Sequence, residues 1–294
     1  MDLVENRYDI GIKDEGQFTL GPGEVASLVY HDIFDYPLRL GELVKWRAGK
    51  KLTINNEELS TPIESGSIKS RNAFYFFKGR DGIILKRLLR ERISAKKFEI
   101  ARKAGQILRL IPTIKMVAVT GALAMGNAEG ESDIDLMVVS KSGTLWTTRL
   151  ITLLFLDLLG IPRRKYGDNN QKDKLCLNIW LDEGSLIWPK KSRNSYTAHE
   201  ICQIRPLVNK DKTYDRFIYE NLWVREFWPN AIRNKNVFAK TRPKHSFLGI
   251  FEPLARSLQF WHMRGKITRE VVTKSRALFH PHDWGKVVLS RLAS

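Results

Sequence analysis

A chain of 294 residues with 43% hydrophobic content has enough apolar mass for one large core or two ordinary ones, which excludes an unfolded, highly charged polymer. Its 49 lysines and arginines against 32 acids leave a net charge of +17, so the surface presents positive areas that attract nucleic acid, nucleotides or anionic lipid. Only two cysteines, Cys176 and Cys202, are present; this excludes a disulfide framework and points to a reducing, cytoplasmic setting.

The opening MDLVENRYDI has no basic-then-apolar leader pattern, and residues 1 to 20 show no clear periodicity. From Gly23, VASLVYHDIF has helical spacing and stops at Asp35-Tyr36-Pro37, because the residue before proline avoids the helical region. GELVKWRAG suggests a second helix and NNEELSTPIES a third, and AFYFF, residues 73 to 77, is a β-prone run between Lys69, Arg71 and Lys78, Arg80. Three helices and a basic hairpin over residues 1 to 80 read either as a winged helix-turn-helix-like module or as a small helical domain with a hairpin. Glu57, Glu58 and Glu64 on the third helix would repel phosphates, so any contact with DNA falls to the hairpin.

From Gly82 to about Leu110, apolar residues recur at helical spacing among many lysines and arginines. This predicts a linker helix within residues 81 to 112 whose basic side chains form a solvated face, with a polyanion groove as the rival reading. Ile111-Pro112-Thr113 then opens a domain over residues 113 to 190 in which the period changes. MVAVT (116 to 120), IDLMVV (134 to 139) and LCLNIWL (175 to 181) have the length of strands, and LWTTRLITLLFLDLLG (145 to 160) that of a helix, an order that indicates an α/β or α+β fold. The most apolar run, Leu150 to Ile161, is too short to cross a bilayer and carries Asp157, so no membrane partner is expected. Residues 191 to 294 read as helices: AHEICQIRPLV, YDRFIYENLWVREFW, SFLGIFEPLARSLQFWHM and ITREVVTKSRALF, their aromatic residues forming a helical core or packing against the sheet.

The chemistry concentrates in GALAMGNAEGESDIDLMVVS, residues 121 to 140. On a strand, side chains two apart share a face, so Asp133 and Asp135 point the same way while Ile134 and Leu136 face the core. Two bare carboxylates that close repel each other, and a divalent cation with oxygen preference, Mg²⁺ or Mn²⁺, resolves the conflict. Gly121 lets backbone approach a ligand closely, LAMGNA can begin a helix whose free N–H groups face a phosphate, and Gly126 and Gly130 permit the turn back to the strand.

Thr120-Gly121-Ala122, a spacer of residues 123 to 132, and Asp133-Ile134-Asp135-Leu136 resemble the signature of the DNA polymerase beta-like nucleotidyltransferases, and Ser132-Asp133-Ile134-Asp135-Leu136 resembles their minimal prokaryotic members. The resemblance covers residues 116 to about 182. It implies a small mixed sheet, hence an α+β fold, and transfer of a nucleoside monophosphate from a nucleoside triphosphate to an acceptor hydroxyl. It also implies that Asp133 and Asp135 hold Mg²⁺, that Gly121, Ala122 and Ser132 meet the triphosphate, and that a third carboxylate on a later strand completes the site. Ala122 stands in place of the usual Ser or Gly, and Leu123 and Met125 stand where arginines are frequent. Strand alternation puts Cys176, Asn178, Trp180 and Asp182 on one face, with Asn178 at the position of the third acid and Asp182 as its substitute. An amide can offer oxygen to a metal but is no base at neutral pH.

Arg149, Arg163, Arg164, Lys165, Lys172 and Lys174 are further candidates for triphosphate or acceptor contacts, against the plainer reading of solvated charge. In His280-Pro281-His282-Asp283 the simplest role is Asp283 as the N-cap of a helix beginning at Trp284. No P-loop or dinucleotide glycine fingerprint is present. Two functions remain in play: a cytoplasmic Mg²⁺-dependent nucleotidyltransferase acting on RNA, DNA, protein or a small molecule, and a non-catalytic, antitoxin-like regulator that binds nucleic acid or protein on a degenerate nucleotidyltransferase fold.

Overall fold

Pro22 supplies the φ that a first helical turn needs, and α1 (Pro22–Asp32) follows, ending just before Pro37 as the sequence predicts. The structure is a computed structural model, and it describes residues 20–52, 67–232, 246–265, 270–279 and 283–293. After α1 come β1 (Leu38–Arg39), α2 (Leu40–Lys45), β2 (Ile68–Arg71) and β3 (Phe74–Phe77), and the three strands pair antiparallel in the order β1-β3-β2. The third helix expected at residues 55 to 65, with Glu57, Glu58 and Glu64, lies outside the described residues. In the basic hairpin, Arg80 turns inward to Asp32 at 3.1 Å and to Asp35 at 2.6 Å.

The linker is one helix, α3 (Gly82–Leu108), whose Lys86, Arg92, Lys96, Arg102 and Lys103 form the solvated basic face expected, whereas three other cations turn inward. Arg87, Arg90, Ser94, Lys97, Ala101, Ala104 and Leu108 are all buried, at alternating steps of three and four that lie along one side of a helix. Arg87 lies 3.5 Å from the centre of the Tyr36 ring and pairs with Glu42 at 2.8 Å and Glu91 at 2.9 Å, so its charge is shared by a network that closes the N-terminal module onto the helix.

A six-stranded mixed sheet follows, in the order β7-β4-β5-β6-β9-β8: β4 (Ile114–Val119), β5 (Ile134–Ser140), β6 (Leu175–Asp182), β7 (Arg205–Asn209), β8 (Val271–Val272) and β9 (Arg276–Leu278). Only β5 and β6 run parallel, and the helix between them, α5 (Leu145–Leu158), makes the crossover that a parallel pair requires. With the helices, this is an α+β fold. The outer strands β7, β8 and β9 correct the all-helical expectation for residues 191 to 294. Pro206 cannot continue α6 (Ser195–Gln203), and an edge strand tolerates its missing N–H; the β-branched pair Val271-Val272 forms a hairpin with β9.

The two sheet faces bury different cores. Met116, Ala118, Met137, Val139, Ile179 and Leu181 pack with α1, α2, α6, α7 (Thr213–Glu220) and α9 (Trp284–Ala293). Val117, Val119, Leu136, Val138 and Trp180 pack with α3, α5 and α8 (Glu252–Met263). In the first core Trp46 stacks on His199 at 4.0 Å, Trp228 stands edge-on to Tyr30 at 4.9 Å, and His31 Nε2 meets His199 Nε2 at 3.1 Å. Burial drives the His31 ring down to about 3, so it stays neutral inside this apolar cluster. The start of α5 is capped from a distance: the Trp146 and Thr147 N–H groups donate to the Glu252 carboxylate at 2.8 and 2.9 Å. No helix among the described residues is long and apolar enough to cross a membrane.

Candidate functional site

Alternation along β5 sends Ile134, Leu136 and Val138 into the α3 and α5 core, which leaves Asp135 on the opposite face with Met137. Asp133, one step before the strand, joins it: oxygens of Asp133 and Asp135 and the sulfur of Cys176 lie within 4.8 Å of one another. Arg164 donates to Asp133 Oδ2 at 2.8 Å, and Asn178 Nδ2 donates to Asp135 Oδ1 at 2.6 Å. Burial first, and the charge of Asp133 second, push the Asp135 carboxyl up to about 7. Burial and the same two carboxylates also hold the Cys176 thiol well above its ordinary value, so its sulfur is protonated at neutral pH.

The strand β6 explains which partners arrive. Asp135 stands opposite Cys176, whereas Met137 stands opposite Ile179, so β6 carries one extra residue between these pairs. That bulge keeps Asn178 beside Asp135 but inverts the alternation beyond it. Trp180 therefore enters the α3 and α5 core, and Asp182 stands opposite Ser140 at the far end of the strand. There Asp182 accepts from the Gly143 N–H at 2.7 Å and the Gly184 N–H at 2.8 Å, and the structure does not bring it to Asp133 and Asp135. The single face expected for Cys176, Asn178, Trp180 and Asp182 is corrected accordingly.

Gly121 follows β4 with φ of +61°, in the left-handed region, and a Cβ there would lie 2.7 Å from Asp135 Oδ2. Ala122 follows within the one-turn α4 (Gly121–Ala124), its carbonyl accepting from the Asn127 N–H at 2.9 Å. The expected result for Gly121→Ala is a loss of about 1–2 kcal/mol in urea unfolding, together with a displaced Asp135. Unchanged stability would show that the turn accommodates a side chain.

The loop from Gly126 to Ser132 is held from beneath by Lys97, whose Nζ donates to the Gly130 carbonyl at 3.0 Å, the Ser132 carbonyl at 2.7 Å and Asp173 Oδ1 at 2.7 Å. Arg90 ties the same loop through Asn127 and Glu129. Ser132 Oγ donates to the Glu129 carbonyl at 2.9 Å, closing the turn that delivers Asp133. Of the other basic candidates, Arg149 donates to Gln259, Arg163 to Asp157, Lys172 to Glu131 and Lys174 to Asp168. Asp283 caps α9 as expected, accepting from the Lys286 N–H at 2.9 Å.

Sequence reasoning passed over Glu200, on α6. Gln203 Nε2 donates to it at 2.7 Å and to the Gly121 carbonyl at 3.2 Å, so the amide bridges Glu200 to the Gly121 turn. Burial, then the charge of Asp135, pushes Glu200 up to about 7. No local pattern in AHEICQ announces this; only the packing of α6 against the sheet does. The folded protein thus keeps this proton to about pH 7, whereas the unfolded chain releases it near about pH 4.3. Relative to Glu200→Gln, the stability that Glu200 contributes is full below the unfolded value and falls as pH rises to about 7. Urea midpoints of both proteins from pH 4 to pH 8 measure this, and a constant difference between them would contradict it.

The oxygens of Asp133 and Asp135 and the sulfur of Cys176 form a group that could hold a metal ion, and beside it the buried Oδ1 of Asn178 has no hydrogen-bond partner. No protein-family model matches the chain, and no curated protein matches it. A solved structure described as "Crystal structure of the toxin-antitoxin with AMP-PNP" is similar over 41% of this chain and 82% of its own, at 13% identity and a TM-score of 0.24.

Proposed function

We propose that this chain is a Mg²⁺-dependent nucleotidyltransferase that moves a nucleoside monophosphate from a nucleoside triphosphate to an acceptor hydroxyl. The observation that carries this reading is the convergence of Asp133 and Asp135 beside the left-handed Gly121 turn, where no side chain can intrude. Asp133, Asp135 and the Asn178 amide oxygen would hold the cation, which when bound neutralises phosphate charge as it shifts toward the leaving pyrophosphate. Asn178 fixes the Asp135 carboxylate through its Nδ2, and Gly121 leaves room for phosphate oxygens to approach the backbone. Arg164, a third exposed at its side chain, balances Asp133 and is within reach of solvent, so a triphosphate can draw on the same guanidinium. In-line transfer of this kind needs positioning and charge neutralisation more than a strong base.

Incubating the chain with Mg²⁺ or Mn²⁺ and each labelled nucleoside triphosphate, alone and with total RNA or lysate protein, tests the reading. Label transferred to any acceptor supports it. The absence of binding and of transfer with all four nucleotides refutes it. One observation favours a non-catalytic second reading: Arg164 already neutralises Asp133, as a lost metal site would require. A steep fall of nucleic-acid affinity with salt, unchanged by Asp133→Ala, would support that regulator instead.

A further inference from the structure

A cavity of about 700 Å³ lies between the Met137 and Ile179 face of the sheet, α6 and α9. Most of its wall is apolar: Ile204, Trp188 and Leu289 join the two sheet residues, and Trp284, 56% exposed, stands where the cavity meets solvent. Two polar groups stand where it meets the Gly121 turn. Thr120 donates its N–H to the Asp135 carbonyl at 3.0 Å, and Gln203 links Glu200 to the Gly121 carbonyl, so this part of the cavity adjoins the carboxylate pair. An apolar chamber of this volume with a few convergent polar groups has the form of a small-molecule site. It is too narrow for a nucleic-acid duplex, whose grooves alone are as wide as the whole chamber.

We propose that this cavity takes the acceptor, an alcohol with a flat aromatic or similarly apolar body, its ring against Trp188 and Trp284 and its hydroxyl donating to the Glu200 carboxylate. The assignment rests on the transfer reading above for the word acceptor, because that reaction consumes a hydroxyl. The ligand class itself follows from the cavity. Above pH 7 the ionised Glu200 carboxylate can only accept, so it selects a molecule that ends in a donor, and aromatic walls select a flat body. A ligand without the donor would strip water from Glu200 and return nothing.

Equilibrium dialysis of the full chain at pH 8 against 2-naphthol, naphthalene and 2-methoxynaphthalene tests the pocket without any transfer. The expected result is saturable one-to-one binding of 2-naphthol, about tenfold tighter than naphthalene. Glu200→Ala should bring the two affinities together. Ile204→Trp and Leu289→Trp, which fill the chamber from different walls, should each abolish binding while far-ultraviolet circular dichroism confirms folding. Failure of 2-naphthol to bind, its binding to both filled variants, or equal or tighter binding of the methyl ether, which has no donor, would overturn the assignment. A chain that transfers label but ignores 2-naphthol refutes the pocket alone. A chain that binds 2-naphthol and transfers nothing refutes the transfer reading, and with it the acceptor role.

Discussion

Replacing Asp135 by asparagine is expected to lower nucleotide transfer by about a hundredfold to a thousandfold, the scale of losing ~3–4 kcal/mol of electrostatic stabilisation in the transition state. The same change should leave the fold at least as stable at pH 8. At that pH the wild-type carboxyl is ionised against burial and against Asp133, and an amide removes both penalties while keeping the shape. Activity and stability therefore move in opposite directions, which a merely structural role for Asp135 cannot produce. Initial rates of label transfer and urea midpoints on the same preparations measure both. Equal transfer by the variant would end the assignment of this carboxylate to the metal.

Lys97→Met is expected to cost about 3–5 kcal/mol, the range for breaking a buried charged group away from its partners. The side chain is 2% exposed and bonds two carbonyls of the loop that presents Asp133 and the carboxylate of Asp173, so its loss removes the Gly130 carbonyl's side-chain donor and leaves the Ser132 carbonyl with the Asp173 N–H alone. The denaturant midpoint should fall with an unchanged slope, because the core around α3 remains. Nucleotide affinity should drop as well, although Lys97 touches no part of the carboxylate pair: the loop it clamps sets where Asp133 begins. A loss of stability without any loss of affinity would show that the loop holds its shape unaided.

Much of the centre of the molecule was legible. The runs at 116 to 120, 134 to 139 and 175 to 181 are strands within two residues at each end, since apolar runs bounded by polar turns have few other solutions. The shared face of Asp133 and Asp135 followed from a period of two, and the structure brings their oxygens together. The same rule failed one strand away. Nothing in LCLNIWLD marks the extra residue at the bulge, because a bulge is decided by how β6 meets β5, and Asp182 left the predicted face for that reason alone. The basic helix α3 was legible in part: Lys86, Arg92, Lys96, Arg102 and Lys103 are exposed as expected, and three other cations are not. Charge at Arg87, Arg90 and Lys97 suggests solvent, but their spacing matches the small residues Ala101 and Ala104, and spacing was the better guide. Glu200 and the chamber beside it were beyond reach, being assembled from α6, α9 and two strands that no local pattern relates.

The contact between His31 and His199 spans 168 positions along the chain. During synthesis at ~5–20 residues per second, α1 must wait roughly ten to thirty seconds before its partner helix leaves the ribosome. Until then Tyr30, His31 and Trp46 lack the rings of His199 and Trp228 that cover them. The nascent amino-terminal portion is thus an open, sticky surface and an obvious client for holdases, and truncated versions ending before Trp228 should precipitate rather than yield a separate module.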